Sequence, residues 1–300
     1  MTGDIQIVYI PGMKPKPPVE AHEELLWRCL LNGVGRADPS AARDLAQYRD
    51  LFRVAPWSRL FYDEQTEVEP DLPGIERLLA LAGPEDQDIQ EARHWHKRIG
   101  RLIYLLSDKF PFLINWIASP DLEETLKETR RYFQNQDGVA TCIRQLVADR
   151  LLASWTPGSR LLVIAHSLGS VIAYEALWEL SHLHNSEIQV DLFMTLGSPL
   201  GLNFIRHRMI NAQESGARQY PTNIHRWINL AAIGEMTALD RTFADDYHEM
   251  VSLGLVESII DKTDLQTYFR GPDGLNVHKC YGYMANQQTG AALTAWLSAT

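Results

Sequence analysis

The centre of the chain reads Leu161-Leu162-Val163-Ile164-Ala165-His166-Ser167-Leu168-Gly169-Ser170. An apolar run of the kind that forms a buried strand ends here at a serine, with a small residue two positions away on each side. This pattern is typical of a nucleophile elbow, a strand-to-helix turn so sharp that large flanking side chains would collide and the serine hydroxyl is left exposed. The usual pattern is G-x-S-x-G, and Ala165 occupies the position of the first glycine. We therefore predict a strand that ends at Ser167, the candidate nucleophile.

The sequence after Ser167 favours a helix. Apolar side chains recur at helical spacing from Leu168 to Leu180, and Ala173 is small enough for close packing of a helix on a sheet. A serine in this place can also serve only as the N-cap of a helix that follows a buried strand. The order strand, serine, helix is the context that an elbow requires, so we favour the elbow.

The rest of the chain alternates between strands and helices. Strands are predicted at Ile5 to Ile10, Leu51 to Ala55, Val190 to Leu196, Arg226 to Ala231 and Leu255 to Ile260. Helices are predicted at Ala21 to Leu31, Val139 to Trp155 and Gly290 to Ser298. This alternation predicts an α/β fold with a mostly parallel central sheet and helices on both faces.

One region interrupts the alternation. Residues 66–135 carry no strong strand pattern, and helices are predicted there at Gly74 to Leu81, Ile89 to Leu106 and Asp121 to Phe133. We divide the chain accordingly into an α/β core, residues 1–65 and 136–300, and a helical insertion, residues 66–135, expected to cover the site as a cap or lid. Apolar side chains between Phe110 and Trp116 either line an acyl pocket or form the small core of the insertion itself.

A serine hydroxyl needs a base to remove its proton, so the elbow predicts a histidine on a late loop at the carboxyl edge of the sheet. His278 fits best, because it lies in a loop that follows the last predicted strand, and His248 is the reserve candidate. Most other histidines lie in predicted helices, in the insertion or at the wrong end of a strand. His166, next to Ser167, is expected to point elsewhere and to be structural.

The third group must be a carboxylate that orients the imidazole and stabilises the imidazolium. The chain order serine, acid, histidine places it between Ser167 and His278, and Glu235 follows the predicted strand there. Asp240, five residues further on, is the alternative acid. Asp245 and Asp246 are weaker candidates in a polar run, and Glu235 could also be an ordinary solvated loop carboxylate.

Acyl transfer further needs hydrogen-bond donors for the oxyanion of the tetrahedral intermediate. One donor is expected to be the backbone N–H of Leu168, the residue after the nucleophile. The other is expected from Met13 in the loop after the first strand, where Gly12 would let the backbone approach the substrate. The pair Pro11-Gly12 could also be only a turn.

The sequence Ala165-His166-Ser167-Leu168-Gly169-Ser170 resembles the α/β-hydrolase superfamily, in particular its lipase-like and esterase-like members. The resemblance covers about Asp4 to Asp63 and Val139 to Ala299, and it does not cover the insertion. It implies a Ser, acid, His triad and no cofactor. The chain departs from the family pattern in three ways: Ala165 replaces glycine, the oxyanion loop reads Pro-Gly where many relatives have His-Gly, and the acid, if it is Glu235, would be Glu rather than the commoner Asp.

Composition and cysteine spacing argue against other classes. The formal net charge of −10 disfavours binding to a nucleic-acid backbone, and the three scattered cysteines indicate neither a disulfide framework nor a zinc site. The most hydrophobic window, Leu102 to Ala118, is interrupted by charged residues and falls short of the roughly 20 apolar residues of a membrane span. Since the first residues also lack a secretion-signal pattern, we expect a cytoplasmic protein.

These patterns together predict a serine hydrolase that cleaves carboxylic esters of a small-molecule substrate, without metal or cofactor. An acyltransferase or a thioesterase would use the same triad. A catalytically inactive binding or scaffold protein on the same fold is the third hypothesis, with the insertion as its partner surface. The candidates Ser167 and His278 argue against this last reading, whereas the uncertain acid keeps it open.

Overall fold

A computed structural model of the protein describes residues 5–93, 120–235 and 242–299. Within these residues six parallel strands form one sheet in the order β2-β1-β3-β4-β5-β6. The strands are β1 (Ile5–Ile10), β2 (Phe52–Val54), β3 (Arg160–His166), β4 (Val190–Leu196), β5 (Ile224–Ala232) and β6 (Ser258–Leu265). A short antiparallel pair, β7 (Arg270–Gly271) and β8 (Gly274–Leu275), lies in the loop that precedes His278.

Helices connect most of these strands. They are α1 (Val19–Ala37), α2 (Pro39–Ala46), α3 (Ser58–Phe61), α4 (Leu72–Ala80), α5 (Pro120–Phe133), α6 (Val139–Ala153), α7 (Leu168–His182), α8 (Asn203–Arg206), α9 (Phe243–Asp246), α10 (His248–Ser252), α11 (Cys280–Met284) and α12 (Gln287–Ser298). Residues 86–93 are helical as well. None of the described helices is both long and apolar enough to cross a membrane.

Helices cover both faces of the sheet. Side chains alternate along each strand, so successive residues pack against helices on opposite faces. In β3, Leu161, Val163 and Ala165 pack with buried residues of α6 and α7. Leu162 and Ile164 point the other way and pack with buried residues of α1 and α12. The predicted α/β fold with a parallel sheet between helices is confirmed.

Most predicted strands lie within two residues of their observed bounds, and the last one does not. The sequence predicts it at Leu255 to Ile260, whereas β6 runs from Ser258 to Leu265. The apolar residue Val256 is buried just before the strand begins. β6 lies at the sheet edge, and its residues from Asp261 to Asp264 are polar, so no apolar run marks the second half of the strand.

The insertion is described at both of its ends. Ile75 and Leu78 of α4 are buried in the core that contains α1, and Tyr132 of α5 is buried in the core that contains α7. The predicted helix from Ile89 to Leu106 is helical as far as 93. The remainder of that helix, and the apolar residues between Phe110 and Trp116, lie outside the described residues. The division into core and insertion stays a prediction.

The strand register aligns four loops at one edge of the sheet. Ile10 pairs with Ala165, Ala165 with Thr195, and Thr195 with Asn229. Since all four strands run in the same direction, the loops that follow β1, β3, β4 and β5 leave the sheet side by side. Ligands of parallel α/β sheets bind at this carboxyl edge.

Candidate active site

Ser167 lies at the turn between β3 and α7 in a backbone conformation that is unfavourable for a non-glycine residue. Its φ is 53° and its ψ is −132°, and its N–H donates to the carbonyl of Leu196 over 2.9 Å. A positive φ of this kind costs on the order of 1–3 kcal/mol, and it persists only where the surrounding structure enforces it. The predicted strand, serine, helix order is therefore present, with the strained turn that an elbow requires.

Small residues around Ser167 allow the chain to pass closely. A Cβ atom on Gly169 would lie 2.3 Å from the carbonyl oxygen of Pro11, and one on Gly12 would lie 2.8 Å from the Cβ of Ser167. Both glycines are thus required by close approach of the β1 loop to the elbow. The methyl group of Ala165 is fully buried within the core on the α7 face, so alanine is accommodated at the first small-residue position of the elbow pattern.

Two buried hydroxyl groups, those of Ser170 and Ser198, stabilise the turn at Ser167. The hydroxyl of Ser170 donates to the carbonyl oxygen of Ser167 over 2.6 Å, and it lies 2.5 Å from the hydroxyl of Ser198 in the loop after β4. The Leu200 N–H donates to Ser198 Oγ. These bonds join the elbow to the neighbouring loop and hold the strained peptide in place.

His278 bridges the serine and a carboxylate. Its Nε2 lies 2.9 Å from Ser167 Oγ, and its Nδ1 lies 2.6 Å from Glu235 Oε1. The Glu235 carboxylate has no exposed surface, whereas the His278 side chain is 36% exposed. A substrate can therefore reach the histidine and not the carboxylate. Burial lowers the pKa of His278, but the charge and the hydrogen-bonding contact of Glu235 outweigh this effect, so the pKa is raised above 6.5.

Glu235 reaches His278 from a tight turn after β5. Its N–H donates to the carbonyl of Ala232, and Gly234 within the turn has a φ of +87°. Tyr283 in α11 donates its hydroxyl hydrogen to Glu235 Oε2 over 2.7 Å and accepts a bond from the Ala232 N–H over 2.9 Å. One tyrosine therefore holds both the carboxylate and the turn that carries it.

The other candidate acids and the reserve base lie elsewhere or outside the described residues. Asp240 lies outside them. Asp245 is exposed, and Asp246 pairs with Arg206 over 2.7 Å. His248 is exposed at the start of α10, where its Nδ1 lies 2.8 Å from the carbonyl oxygen of Asp245. Among the candidates of known position, Glu235 and His278 are the two that the structure brings to Ser167.

Two residues near the site have no individual signature in the sequence. His166 is buried, its Nε2 lies 2.8 Å from the carbonyl oxygen of His278, and its ring centroid lies 4.7 Å from that of His278. Burial, followed by the nearby charge of His278, holds its pKa well below 6.5, so the ring is neutral and donates to this carbonyl. Tyr283 is the second. Both are positioned by tertiary contacts, although His166 was expected to point away from the site.

The predicted oxyanion donors lie on the two chain segments that meet at Ser167. Leu168 begins α7, and the first N–H groups of a helix have no carbonyl partner within it. Met13 follows Gly12, where an added Cβ atom would lie 2.8 Å from the Cβ of Ser167. The positive end of the α7 dipole also points at the serine, which favours developing negative charge there.

Across the described ranges, no three His, Cys, Asp or Glu side chains lie together in an arrangement that would hold a metal ion. Comparison of the chain with protein-family models, with curated proteins and with solved structures finds no match.

Proposed function

We propose that the protein is a serine hydrolase that cleaves carboxylic esters through Ser167, His278 and Glu235. The proposal rests on one observation above all: a serine on a strained turn lies within hydrogen-bond reach of a histidine, which in turn lies against a buried carboxylate. This is the order nucleophile, base, orienting acid that covalent acyl transfer requires. The distances of 2.9 and 2.6 Å fall at or near hydrogen-bonding range.

In the first half of the reaction, His278 Nε2 takes the proton of Ser167 Oγ as this oxygen attacks the ester carbonyl carbon. The negative charge that develops on the carbonyl oxygen is stabilised by the N–H groups of Leu168 and Met13. Glu235 stabilises the imidazolium at Nδ1. The tetrahedral intermediate then collapses, the bond to the leaving oxygen breaks, and His278 donates its proton to the departing alcohol.

In the second half, water replaces the alcohol. His278 Nε2 removes one proton from the water as its oxygen attacks the acyl carbon of the Ser167 ester. Collapse of this second intermediate releases the carboxylic acid and returns the proton to Ser167 Oγ. The same three residues thus act twice, and the enzyme returns to its starting protonation state.

We further infer an α/β-hydrolase fold in which the insertion borders the site as a cap. Support comes from the described parts of the insertion. A Cβ atom on Gly234, next to Glu235, would lie 2.6 Å from the carbonyl oxygen of Ala92. On the other side, the hydroxyl of Thr129 in α5 contacts the sulfur of Met13 over 3.6 Å. The two arms of the insertion therefore touch the loop of the acid and the loop of the predicted oxyanion donor.

Labelling with a fluorophosphonate probe tests the proposal, since this reagent modifies an activated serine. The wild-type protein should be labelled and should hydrolyse short p-nitrophenyl esters. Ser167→Ala should abolish both, and His278→Ala should reduce both by at least about 10³-fold. Ser252→Ala, which removes an exposed hydroxyl on α10, is the matched control and should behave as the wild type.

A wild-type protein that is folded, yet neither labelled nor active on esters between pH 6 and 9, contradicts the proposal. That result would favour a binding or scaffold role for the same fold.

A further inference from the structure

In the loop after β1, the backbone N–H and carbonyl groups form hydrogen bonds with side chains rather than within regular secondary structure. Its first carbonyl, that of Pro11, accepts a hydrogen bond from the indole Nε1 of Trp57 over 2.7 Å. Trp57 is itself fully buried. The buried Trp57 side chain therefore fixes the orientation of the peptide between Pro11 and Gly12.

Lys16 holds the far end of the same loop. Its ammonium group donates to the carbonyl oxygen of Met13 and, over 2.9 Å, to the carbonyl oxygen of Lys14. The N–H of Lys14 donates to the hydroxyl of Tyr62 over 2.8 Å. The peptide between Met13 and Lys14 is thus held on both sides, by Lys16 at its carbonyl and by Tyr62 at its N–H.

The peptide between Gly12 and Met13 lies between these two fixed neighbours. Its orientation decides where the Met13 N–H points, and the space beside Gly12 is so narrow that an added Cβ atom would lie 2.8 Å from the Cβ of Ser167. Lys14 has a φ of 77°, a left-handed conformation that disfavours lysine. The loop therefore needs side-chain hydrogen bonds to keep this shape, and the Lys16 ammonium supplies two of them, to the consecutive carbonyls of Met13 and Lys14.

We propose that Lys16 is a positioning residue for the oxyanion hole: its charged ammonium fixes the loop so that the Met13 N–H faces the developing oxyanion. This inference rests on the proposed function. Lys16 acts through the backbone and does not need to touch the substrate. Lys16 should lower the energy of the transition state and not that of the bound substrate, because only in the transition state does the substrate oxygen carry the charge that the Met13 N–H stabilises.

The charge of Lys16 makes this positioning dependent on pH. Burial lowers its pKa from 10.5 to about 8. Among its charged or titratable neighbours, Lys279 lowers this pKa further, whereas Cys280, Glu128 and Asp71 raise it. The imidazoles of His22, His166 and His278 also lie within its electrostatic reach. Lys16 is therefore protonated and able to donate to both carbonyls below about pH 8, and it loses its charge above that pH.

The kinetics of Lys16→Met on a p-nitrophenyl ester test the proposal. We expect kcat to fall about 10²-fold, the usual effect of losing one oxyanion donor, with KM changed less than about threefold. Lys14→Met is the matched control, because it removes the same charge from the same loop but from an ammonium that lies 3.4 Å from Glu128. Its kcat should stay within about threefold of the wild-type value.

The pH profile provides a second test that does not depend on the fold of the methionine variant. Wild-type kcat should decline above about pH 8, and Lys16→Arg, which stays charged, should lose this alkaline limb. A wild type without an alkaline limb, or an unchanged limb in Lys16→Arg, would overturn the proposal. So would a Lys16→Met variant with wild-type kcat. None of these three results would contradict the proposed ester hydrolysis. A wild-type protein that neither hydrolyses esters nor reacts with the fluorophosphonate probe would contradict both the proposed hydrolysis and the role of Lys16.

Discussion

At the residue scale, the buried charge of Glu235 governs the protonation of His278. Burial alone would lower the pKa of this imidazole, and the carboxylate reverses the sign of the shift. A base whose pKa is raised above 6.5 is neutral only at higher pH, so the reaction should require a pH above the ordinary value for histidine. Tyr283 holds the second carboxylate oxygen and keeps the first one aimed at Nδ1.

Glu235→Gln should therefore change both the rate and the pH profile. We expect kcat to fall on the order of 10⁴-fold, because the amide does not stabilise the imidazolium. The acidic limb of kcat/KM should also move to lower pH, since burial then acts on His278 without the opposing charge. Steady-state kinetics between pH 5 and 9 measure both effects. An acidic limb that stays in place in the variant would show that another group controls the base.

At the scale of elements, the loop that carries His278 is followed directly by a close helix crossing. A Cβ atom on Gly33 in α1 would lie 2.5 Å from the carbonyl oxygen of Met284 and 2.9 Å from that of Asn286, at the junction of α11 and α12. Gly35, two residues further along α1, would place a Cβ only in ordinary contact with Ala42, at 3.6 Å. The same helix therefore contains one glycine required by packing and one that is not.

Gly33→Ala and Gly35→Ala should shift stability in opposite directions. Gly33→Ala should destabilise the fold by about 1–3 kcal/mol, because backbone atoms must move apart. Gly35→Ala should stabilise it by up to about 1 kcal/mol, since alanine is the better helix former. Denaturant unfolding of the two variants measures the difference. Equal effects would mean that α1 does not pack against the α11–α12 junction as closely as described.

At the scale of the whole molecule, a buried polar network joins α5 of the predicted insertion to α7, the helix that follows Ser167. Glu175 of α7 accepts a hydrogen bond from the hydroxyl of Tyr132 in α5 over 2.5 Å and lies 3.6 Å from Arg144 of α6. Arg144 also bonds Glu179 over 2.9 Å. Burial raises the pKa of Glu175, and the contacts with Tyr132 and Arg144 offset only part of this effect. The arrangement of α5, α6 and α7 thus depends on one buried cation.

Arg144→Met should destabilise the protein by about 3–5 kcal/mol, because it leaves a buried carboxylate without its counter-charge. The pKa of Glu175, already raised, should rise further above its unfolded value. A carboxyl shifted in this direction reduces stability as the pH increases, so the loss should be larger at pH 8 than at pH 5. Thermal unfolding at both pH values measures it.

The control for this change is Arg150→Met in the same helix, which should alter stability by less than about 0.5 kcal/mol. Adding Glu175→Gln to Arg144→Met should recover part of the loss, since the unpaired charge is then removed as well. A double variant no more stable than Arg144→Met would argue against charge pairing as the source of the effect.

The sequence by itself determined the α/β fold, the position of the elbow and the choice of Ser167 and His278 as candidates. These depend on local patterns: apolar alternation in strands, helical spacing after the serine, and the order of elements along the chain. The same local patterns misplaced β6, because the second half of this edge strand is mostly polar, and they left the acid undecided between Glu235 and Asp240.

Only the tertiary structure brought Glu235 within 2.6 Å of His278 and turned His166 and Tyr283 toward the same site. It also placed the Lys16 ammonium on two carbonyls of the loop that approaches Ser167. These contacts join residues that are far apart in the chain or whose orientation depends on a turn. The strength of these contacts depends on burial and on interatomic distances that only the folded chain defines. No local sequence pattern encodes either quantity.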